Sequence, residues 1–173
     1  NQNIIVTRAK DIMKKRFIRI STVDTLRETI EIILHGEERG YNTAAIAIIN
    51  QDGNFAGVIT PNQVALGLLG DYESNEASSD PVNFHRNLEN RLSITVDAIL
   101  SPEQPTVDPE TPLATLAKLA GEADLDCIPA LFEGRIEGLV FTTDIFKKVA
   151  AIALSPDDQG IALGEDYESL ESR

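Results

Sequence analysis

The chain repeats itself, and the repeat narrows its possible folds more than any other feature. GVITPNQV (Gly57–Val64) returns 81 positions later as GLVFTTDI (Gly138–Ile145). Gly53 stands four residues before Gly57, as Gly134 does before Gly138. Upstream lie two apolar runs, AAIAII (Ala44–Ile49) and CIPAL (Cys127–Leu131). Earlier still, Ile20 and Leu26 match Val107 and Leu113, each pair six residues apart, and Met13 and Leu100 each lie seven residues before the first of these. The middle of the second copy is shorter. A unit recurring at this spacing is one supersecondary element that covers its apolar face with its neighbour.

Both copies read alike locally. A short extended segment, RFIRI or QPTV, leads into a helix. In the first copy Asp24 or Thr25 caps that helix, and TLRE is a capping-box pattern. Leu26, Ile30, Ile33 and Leu34 then recur at helical spacing. In the second copy Thr111 is the expected cap, with Pro112 in the first turn and Leu113, Leu116, Ala117 and Ala120 as the stripe. A buried strand, a glycine turn (NQDGN or FEGR), a second strand and a second helix follow. Each copy is therefore β-α-β-β-α, too small to bury both faces of its own sheet. The expected fold is α+β, with two units packed sheet to sheet. The boundaries read as 7–70 for the first unit, 71–93 for an acidic linker, 94–150 for the second unit and 151–173 for an acidic tail. A short helix is expected over Val82–Leu92.

The rest of the composition mainly excludes. With 42% apolar residues, the 173-residue chain can build a core, but it has no Trp and only 5% aromatics. The net charge of −13 argues against nucleic acid and anionic membranes, which need a basic footprint. No apolar run reaches the roughly 20 residues of a membrane span. NQNIIVTRAK lacks the apolar core of a signal peptide. The lone Cys127 rules out an internal disulfide or a CxxC metal site and fits a reducing, cytoplasmic setting. The first residue, Asn1, is not Met, which fits a piece cut from a longer protein. His35 and His85 have no HxxxH partner, and phosphate-loop and nucleophile-elbow motifs are absent. Nothing marks an enzyme. DYES occurs at Asp71–Ser74 and Asp166–Ser169 without an evident mechanism.

Taken in order, AKDIM…RISTVDTL…AAIAIINQDGNFAGVIT and VDAIL…PTVDPETPL…CIPALFEGRIEGLVFTTDI resemble a tandem pair of cystathionine-β-synthase (CBS) domains, a Bateman module. The resemblance covers about residues 7–70 and 94–150. It implies two clefts between the units, a homodimer, and a non-catalytic module that senses cellular energy or metabolite state. It implies an adenosine-containing ligand (AMP, ADP, ATP or S-adenosylmethionine) as an effector, no obligatory cofactor, and an attached or partner enzyme or transporter.

The ligand residues follow from the polar step after the second strand. There the first helical amides are unpaired and favour an anion. The family pattern is glycine, two apolar residues, Thr or Ser, two variable residues, then an Asp for the ribose. The first copy keeps Thr60 but has Gln63 at the Asp position; the second keeps Asp144 but has Phe141 at the hydroxyl position, with Thr142 and Thr143 as substitutes. The other wall is expected from Asn42, Thr43 and Ala44, and from Asp126, Cys127, Ile128 and Pro129. The segments at Ile18–Ser21 and Gln104–Val107, including Ile20 and Val107, are expected to close it. Two plainer readings stand beside these: TPNQ is also a helix start, and Asp144 suits a helix N-terminus without any ligand. Arg8, Lys10, Lys14, Lys15, Arg16 and Arg19 crowd the first nineteen residues. They face a phosphate or a partner, or form a solvated surface balanced by the acidic tail; the second reading is preferred. The alternatives to a nucleotide sensor are a degenerate assembly module that dimerises without a ligand, and a Mg²⁺ sensor using linker carboxylates.

Overall fold

The computed structural model describes residues 6–72, 80–101 and 103–156. Most of the acidic linker start and the tail from residue 157, with the second DYES, lie outside the described residues.

The first unit carries β1 (Arg19–Ser21), α2 (Leu26–Glu38), β2 (Ile46–Ile49), β3 (Phe55–Ile59) and α3 (Pro61–Leu69), after a short α1 (Ala9–Ile12). β1 runs parallel to β2, and β2 antiparallel to β3. Thr25 caps α2 as its sequence foretells: its hydroxyl accepts the Glu28 amide at 3.1 Å, while the Thr25 amide donates to the Glu28 carboxylate at 2.8 Å. The Thr25 amide and, at 3.1 Å, the Thr25 hydroxyl both donate to the Glu28 carboxylate and hold it below its usual pKa. In the β2–β3 turn the Asn50 side chain accepts the amides of Asp52 and Asn54, and Gly53 takes φ +87°.

A connecting helix, α4 (Pro81–Arg91), occupies nearly the expected span. Its Asp80 cap accepts the Asn83 amide at 3.1 Å. Arg91 and Asn87 then donate to Gly67 and Leu69 carbonyls at the end of α3, at 2.7 and 3.1 Å. A single 3₁₀ turn (Val96–Ile99) leads to the second unit: α5 (Leu113–Ala123), β4 (Cys127–Phe132), β5 (Arg135–Phe141) and α6 (Thr142–Leu154). The β4–β5 hairpin turns on Glu133 and Gly134, both at positive φ.

Three expectations need correction here. QPTV does not form a strand: Val107 makes one parallel bridge to Ala130. Pro105 and Pro109 flank it without amide hydrogens, so the ladder does not extend. Thr111 is not the α5 cap. Pro112 holds that position, and the Thr111 hydroxyl accepts the Asp108 amide at 3.3 Å instead. Finally, α6 runs on to Leu154, so the segment assigned to the tail begins inside a helix.

The two sheets meet face to face. Ala45, Ala47 and Val58 pack against Ile136, Leu139 and Phe141, with Phe17 at the seam. The helices cover the outer faces over two further cores, one per unit. The two hairpins also touch: the Phe55 amide donates to the Gly134 carbonyl at 2.8 Å, and Arg135 reaches the Asp52 and Gly53 carbonyls.

The leading segments are exchanged between the units. Ala9 is fully buried in the core of the second unit, and its amide donates to the Thr111 carbonyl at 2.8 Å. Lys14 and Leu139 exchange two backbone hydrogen bonds, 2.8 and 3.0 Å. Reciprocally, Val96 is fully buried in the core of the first unit, and the Leu26 amide donates to Ile94 at 2.8 Å. Val58 is the repeat counterpart of Leu139, but its partner is a side chain. The Gln104 amide accepts the Val58 N–H at 2.6 Å and donates to the Val58 carbonyl at 2.7 Å.

This exchange explains the signature glycines. A Cβ on Gly138 would lie 2.6 Å from Met13 atoms, and one on Gly57 would lie 3.0 Å from Leu100. The paired glycines thus receive the paired Met13 and Leu100, each from the opposite copy.

Candidate functional site

Small residues at the ends of the facing strands (Ala44, Ala45, Pro129) leave a cleft of about 670 Å³ between the units. The expected two clefts open into one, because the strand ends at Thr60 and Phe141 both border the same space. It gathers ten of the fourteen residues expected from sequence. Thr60 and Gln63 lie at the start of α3; Thr142, Thr143 and Asp144 lie at the start of α6. Asn42 and Ala44 come from the first unit, and Asp126, Cys127 and Pro129 from the second.

Four expected residues lie elsewhere. Ile20 and Ile128 point into the helix-side cores of their units, where alternation along the strand turns them away from the cleft. Val107 packs against the core of the second unit. Thr43 is half-buried between two lining neighbours and does not line the cleft itself.

The two helix starts differ chemically. At α3, the Thr60 hydroxyl accepts the Gln63 amide at 3.2 Å, and the Thr60 amide donates to the Gln63 side-chain carbonyl at 2.8 Å. Both side chains are therefore engaged in a capping box. At α6, the cap position is the buried Phe141, which offers no acceptor. The Thr142 hydroxyl donates to the Asp126 carbonyl at 3.3 Å. Asp144 follows in the first turn, with its side chain 22% exposed and its carboxylate 3.8 Å from Lys14 Nζ. The Asp144 carboxylate, in the first turn of α6, thus stands ready to accept hydroxyl donors, with the Asp126 carboxylate and the Thr143 hydroxyl on the same lining.

Lys14, Ser101, Glu103, Gln104, Pro105 and Asp124 also line the cleft. Gln104 and Pro105 belong to the segment expected to close it. Ser101 is the repeat counterpart of Lys14, since each follows the matched Met13 or Leu100, and that pairing was a usable signal. Lys14 stood out only as one of a basic cluster, for which the plainer reading was preferred. Glu103 and Asp124 carried no signal; Asp124 enters because it ends α5 at φ +52°.

Cys127 shows what burial does in this cleft. Desolvation, with a smaller contribution from the negative Asp126, pushes its thiol up to about 12. The thiol is therefore protonated at neutral pH, as expected for an inert cysteine. Iodoacetamide should alkylate Cys127 at least about tenfold more slowly than an unstructured cysteine at pH 8, with a rate still rising past pH 10. A plateau near pH 9 would contradict this. By linkage, the unfolded chain loses this proton first, so the thiol's contribution to stability declines as pH rises from about 9 to about 12.

Among the described residues, no helix is long and apolar enough to cross a membrane, and no group of three His, Cys, Asp or Glu side chains is placed to hold a metal ion.

The CBS-domain family model matches residues 9–69 and 96–151. Among solved structures, the chain is similar to the CBS domain of a CBS domain containing membrane protein from Sphaerobacter thermophilus. That match has 19% identity and a TM-score of 0.64, and covers 82% of this chain and 87% of the other. A CBS domain-containing protein of unknown function from Bacillus anthracis gives 18% identity and a TM-score of 0.65, over 83% and 93%. The cytosolic domain of the Mg²⁺ channel MgtE in complex with ATP gives 18% identity and a TM-score of 0.63, over 82% of this chain and 48% of that one. No curated protein matches by sequence. Both family matches fall on the two repeat units and together span most of the chain, so the protein belongs to the CBS-domain family, as a tandem pair.

Proposed function

We propose that this CBS pair is a regulatory module that takes an adenosine-containing ligand in the cleft between its units and modulates an attached or partner protein. The observation that carries the reading is the Asp144 carboxylate. It stands in the first turn of α6 and opens onto a cleft of nucleoside size, bordered also by Asp126, Cys127 and Pro129. A carboxylate there accepts both ribose hydroxyls, and backbone groups of the β4 edge read a base. The similar MgtE domain is in complex with ATP. Binding regulates only if the ligand prefers one arrangement of the units or of two protomers.

Thermal unfolding with AMP, ADP, ATP, S-adenosylmethionine and Mg²⁺, added separately, tests this. A ligand that binds only the folded form at 100 times its dissociation constant adds about 2.7 kcal/mol. The expected result is a shift with at least one adenosine compound that Asp144→Ala abolishes and Thr60→Ala leaves largely intact. No shift with any adenosine compound at millimolar concentration would reject the reading.

The assembly module is the second reading, and a different surface favours it. α6 presents Phe146, Val149 and Leu154 to solvent, with Phe146 71% exposed. An apolar helix face of this kind suits a second copy, and we propose the homodimer forms there. A shift with Mg²⁺ alone would instead favour the metal reading.

A further inference from the structure

Resting on the adenosine reading, we infer that the cleft selects its ligand by charge, taking a cationic or neutral adenosine derivative in preference to a free nucleotide phosphate. Its described lining carries one lysine, Lys14, against four carboxylates: Glu103, Asp124, Asp126 and Asp144. Lys14 already lies 3.8 Å from one of them. The formal balance of the lining is −3, inside a chain of net charge −13. A phosphate enters this space against like charge, whereas an ammonium or sulfonium group enters with it. Charges of one sign lining a cleft with low-dielectric walls reinforce one another.

The α6 helix start points the same way. A phosphate bound at α6 would need a hydroxyl beside the open amides. Phe141 at the family's hydroxyl position supplies none, the Thr142 hydroxyl donates to the Asp126 carbonyl, and the hydroxyl left on the lining there is Thr143, next to the Asp144 carboxylate. At α3 the Thr60 hydroxyl accepts the Gln63 amide and keeps its own O–H to donate, but no carboxylate for a ribose stands beside it, Gln63 holding that position. Asp144, suited to a ribose, is retained where the family's hydroxyl position is a phenylalanine. Lys147 and Lys148 do not line this cleft. With Lys14 they line a smaller groove one helical turn further along α6, shared with Asp11 and Asp144, where a polyphosphate tail would find positive charge.

The decisive comparison is titration calorimetry of the full chain, without divalent ions, against S-adenosylmethionine, S-adenosylhomocysteine, adenosine, AMP and ATP. S-adenosylmethionine and S-adenosylhomocysteine differ by the sulfonium methyl and its charge. The expected order is S-adenosylmethionine tightest and AMP weakest, at least about tenfold apart, with adenosine between. Raising salt from about 50 to about 500 mM should weaken S-adenosylmethionine and strengthen AMP, because screening acts with opposite sign on the two. Glu103→Gln with Asp124→Asn should narrow their ratio at least about threefold. If AMP or ATP binds more tightly than adenosine and S-adenosylhomocysteine, the charge inference falls while the adenosine reading stands. If none of the five binds, the adenosine reading itself fails and takes this inference with it.

Discussion

Gly138→Ala should destabilise the protein by about 2 kcal/mol, and Met13→Ala in the same chain should recover a good part of that loss. The added Cβ would meet Met13 Cγ and Sδ at 2.6 Å and Met13 Cβ at 2.9 Å. The last of these atoms is fixed to the backbone, so a change of rotamer does not clear it, and Met13→Ala, which keeps that Cβ, relieves only the two closer contacts to Cγ and Sδ. Overpacking of this kind costs about 1–3 kcal/mol. Lys14, the next residue, is held to Leu139 by two backbone hydrogen bonds, so α1 cannot back away freely. A urea-unfolding cycle over wild type, the two single variants and the double variant measures the coupling. At least about 1 kcal/mol of compensation is expected. Strict additivity would show that the glycine is not there for the methionine.

The second large effect is expected at Leu139→Ala, at about 3 kcal/mol. Leu139 is fully buried at the seam between the two sheets, beside Val58, Ile136 and Phe141. Its removal takes apolar area from both units at once and leaves a cavity that neither sheet can close alone. For a chain of this size, each kcal/mol lowers the melting temperature by about 2–4 °C, so a drop of roughly 10 °C should appear by calorimetry. Val149→Ala, on the exposed face of α6, should change stability by less than about 0.5 kcal/mol in the monomer. A Leu139 variant within 1 kcal/mol of wild type would mean the seam is loosely packed.

What could be read from sequence was whatever depends on neighbours along the chain. The Thr25 and Thr60 capping boxes and the glycine hairpins are local and appear where expected; the apolar stripes do too, except that Leu34 is exposed and Thr29 and Gly36 take the buried face of α2 beside Leu26 and Ile33. The repeat also predicted sheet-on-sheet packing, since each unit alone leaves a face bare. The destination of α1 was not legible. A leading segment that returns to its own unit and one that crosses to the other carry the same apolar spacing. What separates them is contact between residues far apart in the chain: Lys14 with Leu139, Met13 with Gly138 and Leu100 with Gly57. The site divides in the same way. Asp144 and Asp126 came from the motif and the strand edge. Glu103 and Asp124 border the cleft through loop placement, which no period records. Ile20 and Ile128 were assigned to the right strands but the wrong faces.

The exchanged leaders set the order in which this protein can be completed during synthesis. The first unit holds most of its residues by Leu69, yet its core still awaits Val96 and its strand edge still awaits Gln104. A ribosome that has released only the first repeat has released an unfinished one, with the Leu26 amide and the Val58 backbone groups lacking their partners. Ala9, made almost at the outset, waits longer still, until Leu113, Leu116 and Val140 emerge. Domains usually fold one after another as they leave the ribosome. Here the halves close together, and a chain stopped between them yields no half-sized product with a finished core.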